Sequence, residues 1–147
     1  MTTDNRRLLE AYIGEVWEQG DPTAVARFAH PSYRRHLSAV SPPLDLEQQI
    51  QRLVGLRAAF PDVSITLEDA VAEGDRVAFR CVLRGTHRGE FLGVAPTGRQ
   101  VTVGLLDVVR IEDGLIAEQW GGPDLYDLVR QLGASVRPPG ELPNPVE

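Results

Sequence analysis

Residues 101–120 read VTVGLLDVVRIEDGLIAEQW, and their pattern decides the fold. From Val101 onward, every second position (Val103, Leu105, Val109, Ile111) is apolar, which is the period of a strand with one buried face. Asp107 falls on that same face. A carboxylate among branched aliphatic side chains is costly to bury unless it is paired, so Asp107 needs either a partner or a task. Arg80 on the preceding strand is the expected partner; the task would be general acid/base chemistry, to which burial tunes a carboxyl group.

Working outward, Glu112-Asp113-Gly114 reads as a tight turn, because Asp and Gly accept the positive φ angles that short hairpin connections prefer. A return strand from Leu115 to Trp120 follows, ended by Gly121-Gly122-Pro123. Pro123 at a first helical position, with Asp124 and Asp127 complementing the helix dipole, opens a short helix that runs to about Leu132 and is stopped by Gly133. Upstream, Val63, Ile65 and Leu67 alternate with polar residues. Glu73-Gly74-Asp75 then turns the chain into a strand from Arg76 to about His87, with Val77, Phe79, Cys81 and Leu83 on one face and Ala78, Arg80, Val82 and Arg84 on the other. Residues 88–98 form a long glycine-rich loop, braced by His87.

The first third of the chain is helical. Thr3 or Asp4 caps a helix extending to about Gln19, with Leu8, Leu9, Tyr12 and Val16 on one face. A short helix from Thr23 to Phe28 ends at His30-Pro31, and residues 32–36 follow as an extended piece. Asp45 and Gln48 form the N-terminal signature of a third helix, which Phe60-Pro61 ends. Helices followed by a run of antiparallel strands give an α+β fold with helices on one face of a bent sheet and a cavity at its open end.

The 147 residues accommodate one domain, residues 1–133, followed by a tail, residues 134–147, with four prolines and little apolar periodicity. A net charge of −6 argues against nucleic acid, which requires a basic surface. The single cysteine, Cys81, sits in an apolar strand and fits a reducing, cytoplasmic setting. No run of about 18 apolar residues is present to span a membrane. Neither phosphate-loop motif occurs, and His30, His36 and His87 lack metal-site spacing, so no cofactor or metal is expected.

Several of these stretches resemble the SnoaL-like polyketide cyclase family, within the nuclear transport factor 2-like fold. They are Ala58-Ala59-Phe60-Pro61-Asp62, the run GDRVAFR at residues 74–80, GTHRGEFLGVAPTGR at residues 85–99, RIEDGLIAEQW at residues 110–120, and Gln131-Leu132-Gly133. The resemblance implies a cone-shaped, curved antiparallel sheet with helices on its concave face. The enclosed cavity would take a hydrophobic small molecule without metal or organic cofactor, in a chain that assembles as a homo-oligomer, a dimer or a tetramer. The best-known members close a ring by intramolecular aldol condensation, using a carboxylate on the return strand. Gly121 looks equivalent to that carboxylate, Gln119 and Asp107 to two histidines of those cyclases.

The expected function is therefore a cofactor-independent enzyme of polyketide-type natural-product biosynthesis, a cyclase with Asp107 as acid/base. Two alternatives stand beside it: opening of an epoxide to a cyclic ether or diol, and a non-catalytic binding or assembly module. His36 is a second acid/base candidate, against a role as a surface or hydrogen-bonded histidine. Tyr33, Arg80, Gln119, Trp120, Trp17 and Phe91 are candidate substrate-binding residues. For the two tryptophans and Phe91 the competing expectation is plain packing over the core.

Overall fold

The computed structural model describes residues 2–135, 137, 138 and 140; most of the proline-rich tail lies outside them. The elements are α1 (Thr2–Ile13), a π-helical turn (Gly14–Glu18), a 3-10 turn (Pro22–Ala24) running into α2 (Val25–Phe28), β1 (Ala29–His36), α3 (Leu46–Ala59), β2 (Ser64–Glu73), β3 (Arg76–Thr86), β4 (Gln100–Glu112), β5 (Leu115–Pro123) and α4 (Leu125–Gln131). Five strands form one sheet in the order β1-β5-β4-β3-β2.

The helical signals have direct physical counterparts. Asp45 accepts the Gln48 amide proton while Gln48 reaches back to the Asp45 amide, a reciprocal cap that fixes the start of α3. Gln49 and Leu53 on α3 are buried, as are Leu9, Tyr12, Ile13 and Val16 at the other end of the chain. The first helix departs from expectation. It is α-helical only to Ile13 and then widens into the π-helical turn, a form that inserts one residue per turn and swings Trp17 round the axis. At the last helix, Asp124 caps α4 through the Asp127 amide, and Pro123 closes β5 instead of opening the helix.

β4 alternates buried and exposed residues along its length, with Asp107 buried among Leu105, Val109 and Ile111. Its turn into β5 has φ of 53° at Asp113 and 74° at Gly114, the paired left-handed conformation that matches strand twist. The sheet is mixed, because β1 pairs with β5 in parallel while the other three pairings are antiparallel. Joined to β5 through the whole β2–β4 meander, β1 is not bound to a hairpin geometry, and as an edge strand it tolerates Pro31.

Register then sorts the side chains. Ala72, Val77, Val109, Gln119 and Arg35 form one row across the sheet, and Ala70, Phe79, Asp107 and Gly121 the next row on the same face. α1 and α3 cover this inward face. The intervening row, Val71, Ala78, Val108, Trp120 and His36, points the other way. Among the described residues no helix is long and apolar enough to cross a membrane.

Candidate active site

Between α1, α3 and the inward face of the sheet lies a mostly apolar cavity of about 30 Å³, room for one or two water molecules. Its wall combines aliphatic and aromatic groups such as Ile65, Phe79 and Leu105 with the polar side chains of Tyr12, Arg35, Gln49, Arg52, Asp107 and Gln119. Among the described residues, Asp107 is the one carboxylate in the lining. Trp17, Arg52, Leu56 and Pro123 are its partly exposed members and mark the way in.

Asp107 is 5 % exposed and held on one side only. Its Oδ2 accepts from Arg35 Nη1 at 2.9 Å and from Gln119 Nε2 at 2.7 Å, while Oδ1 is buried with no hydrogen-bond partner among the described residues. Burial raises the pKa of Asp107 above its ordinary value, against the opposing pull of Arg35 and the Gln119 hydrogen bond. Arg35 is fixed in turn by donating from Nη2 to the Gly121 carbonyl at 2.8 Å. Gln119 is oriented by the Tyr33 hydroxyl, which donates to its Oε1 at 3.2 Å. Tyr12 borders this network, and burial pushes its hydroxyl up to about 12, so at neutral pH it is a hydrogen-bond donor. Cys81 also reaches the cavity, but burial first, and then the Asp107 charge, raise its thiol to about 11, which removes it as a nucleophile.

Of the candidate residues, the structure brings Asp107, Gln119, Tyr33 and Trp17 together at or beside the cavity. It separates the others. Arg80 is not the partner of Asp107: it lies on the outer face, more than half exposed, and pairs with Asp69 at 2.9 Å. His36 and Trp120 occupy the same outer face, stacked on each other at 5.1 Å, with His36 Nε2 at 2.8 Å from Glu118. Phe91 packs edge-on against Phe60 at 5.4 Å and does not line the cavity. His87 does brace the long loop, its Nδ1 accepting from the Thr97 amide. Sequence reasoning missed Arg35, Tyr12, Gln49 and Arg52. For Arg35 a signal existed: it stands two residues from the apolar Tyr33 in an extended segment, on the same face by period two.

One grouping of potential metal ligands occurs among the described residues, His30 with Glu112 and Asp113. It sits at the β4–β5 turn, outside the cavity lining.

Gly121, where the resemblance would place a carboxylate, has a structural reason to be glycine. Its φ is +101°, and a Cβ there would lie 2.1 Å from the Leu106 carbonyl oxygen and 2.9 Å from Asp107 Oδ1. The bare backbone is what lets Asp107 and the Arg35-held carbonyl approach. Gly121→Ala is expected to cost about 2–4 kcal/mol, from the left-handed conformation plus the displacement of β4. Urea denaturation checks this; an unchanged midpoint would show that the β4–β5 contact is looser than described.

A buried acid facing an apolar cavity in an α+β domain marks a candidate small-molecule site. The family model for SnoaL-like polyketide cyclase matches residues 6–132. The chain belongs to that family and is an enzyme of the SnoaL-like cyclase type. Among curated relatives it is similar to the nogalonic acid methyl ester cyclase of Streptomyces nogalater, 32 % identical, covering 80 % of this chain and 90 % of that one. It is also similar to the aklanonic acid methyl ester cyclase AcmA of Streptomyces galilaeus, 30 % identical, covering 87 % of each chain. Among solved structures, TsrD of Streptomyces laurentii superposes with a TM-score of 0.79 at 35 % identity, covering 92 % of this chain and 98 % of that one.

Proposed function

We propose that this protein is a cofactor-independent cyclase of polyketide-type natural-product biosynthesis, with Asp107 as its general acid/base. The observation that carries the reading is the Asp107 carboxyl group itself. It is buried in an apolar cavity, has a raised pKa, and is gripped at Oδ2 so that Oδ1 remains the atom free to take a proton. In the reaction, Oδ1 removes a proton from a carbon flanked by carbonyl groups. The resulting enolate carbon attacks a second carbonyl carbon of the same molecule, forming the C–C bond, and the new alkoxide takes the proton back from Asp107. Nothing is oxidised or reduced, and product and substrate are isomers.

Arg35 and Gln119 act as positioning residues for the carboxyl group. Tyr12 supplies a neutral donor for a carbonyl oxygen, in the manner of an oxyanion hole. A polycyclic ligand needs far more than the present cavity volume, so entry requires Trp17 on the π-helical turn to part from Arg52 and Leu56 on α3.

A second reading is favoured by Gly121, which leaves Asp107 without a companion carboxylate on β5. A single acid with amide and phenol donors suits protonation of an epoxide oxygen while water or an internal hydroxyl attacks carbon. The test is incubation of the purified protein with nogalonic and aklanonic acids, each as the methyl ester and as the free acid, and with a polyketide epoxide, no cofactor added, followed by liquid chromatography and mass spectrometry. A new isomer of any of the acids or esters supports the cyclase; a product of the epoxide, either an isomer or one heavier by a water, supports the second reading. Unchanged substrates throughout would overturn both.

A further inference from the structure

Apart from Asp107 Oδ1, the cavity holds polar groups that the proposed acid/base chemistry leaves unused, and they cluster on one side. Arg52 lines the cavity from α3 and makes no hydrogen bond or ion pair among the described residues. One turn earlier on the same helix face, Gln49 is 1 % exposed, and its Oε1 has no partner among the described residues. Arg35, although paired through its Nη atoms, keeps a buried Nε without an acceptor among the described residues. A Cβ on Gly122 would lie 3.5 Å from Arg35 Nη2 and 3.9 Å from Arg52 Nη2, so both guanidinium groups flank one point at the cavity edge.

Two arginines against one carboxylate leave the lining with one uncompensated positive charge. Burial, and then the charge of Arg35, draw Arg52 below its ordinary pKa, the mark of a cation held where neither water nor a counter-ion fully meets it. Buried hydrogen-bonding groups in folded proteins are nearly always satisfied, so several unsatisfied atoms converging on one cavity indicate a polar ligand group. An amide oxygen by itself accepts and does not donate, but among the described residues no hydrogen bond fixes the Gln49 amide, so a half-turn about its last torsion would present its NH₂ to an anion. The set then offers only donors to the ligand, which is the requirement of an oxyanion.

We propose that Arg52 and Gln49 form a carboxylate-binding subsite at the cavity mouth, and that the substrate carries a free carboxylate where those of the named relatives carry a methyl ester. The proposal rests on the cavity being a substrate site, and adds to it the class of substrate. Docked by its carboxylate on α3, the substrate extends inward with its reacting carbons against Asp107 on the sheet. Arg35 stays committed to Asp107, so the two charges have separate work: one holds the acid/base, the other holds the substrate.

The test is calorimetric titration of the intact protein with 2-naphthoate and with methyl 2-naphthoate at one fixed ionic strength. Wild-type protein is expected to bind the acid at least about tenfold more tightly than the ester, the scale of one charge-assisted hydrogen-bond pair. Arg52→Gln should bring the two affinities within about twofold of each other, and Arg52→Lys should retain part of the preference. Equal affinities in the wild type, or a preference that survives Arg52→Gln, would overturn the subsite while leaving the cyclase reading intact. Binding of neither probe would overturn both. The wild-type ratio is informative on its own, so a variant that fails to fold does not remove the test.

Discussion

Arg35→Ala is expected to lower folding stability by about 3–5 kcal/mol, the cost of breaking a buried ion pair and stranding its partner. Both side chains of the pair are only 3 % exposed, and Arg35 also satisfies the Gly121 carbonyl. Without it, the Asp107 carboxylate would face an apolar wall with Gln119 as its one remaining donor among the described residues. Replacing both ends, Arg35→Met with Asp107→Leu, should recover most of the loss, because two apolar groups of similar size need no partner. A loss below about 1 kcal/mol in the single variant would mean that water reaches the pair.

The pH dependence follows from the direction of the Asp107 shift. Its folded pKa is raised above the ordinary value of 3.8, so its contribution to stability is fully present below that value and is lost as pH rises through the folded pKa. Removing Arg35 raises the folded pKa further. The penalty of Arg35→Ala should therefore be smallest near about pH 4 and grow towards neutrality, as read from urea midpoints across that range. A pH-independent penalty would show that the variant loses packing and not a charge partner.

How much of this was legible in the chain depended on period. β4 declared its buried face and its misplaced acid through six alternating positions, and the Asp45–Gln48 cap and the Asp113-Gly114 turn were equally plain. Arg80 was readable in principle. Phe79 stands directly opposite Asp107, so its neighbour in sequence must face the other way. β1 and β5 were harder, because a short polar strand has no apolar alternation to set its phase, and a shift by one residue exchanges its faces. That exchange separates His36 and Trp120, on the outside, from Arg35 and Gln119, on the inside.

The parallel β1–β5 pairing is a long-range contact that no local signal encodes. It is also what delivers Arg35 to Asp107, 72 residues away in sequence. The cavity's polar wall was hidden for a related reason. Gln49 and Arg52 are ordinary helix residues until α3 is laid against the sheet.

The most direct measurement of the central claim is the pH dependence of kcat/KM for the wild-type protein and for Asp107→Asn, on whichever substrate shows turnover. With Asp107 as the base, wild-type kcat/KM should fall on the acid side with an apparent pKa above the ordinary carboxylate value. Asn, which keeps an oxygen for Arg35 but cannot take a proton, should lose about a hundred- to ten-thousand-fold in rate together with that limb. A folded Asp107→Asn protein that turns over within a few-fold of wild type, with the same acid limb, would contradict the account and leave Asp107 as half of a structural ion pair.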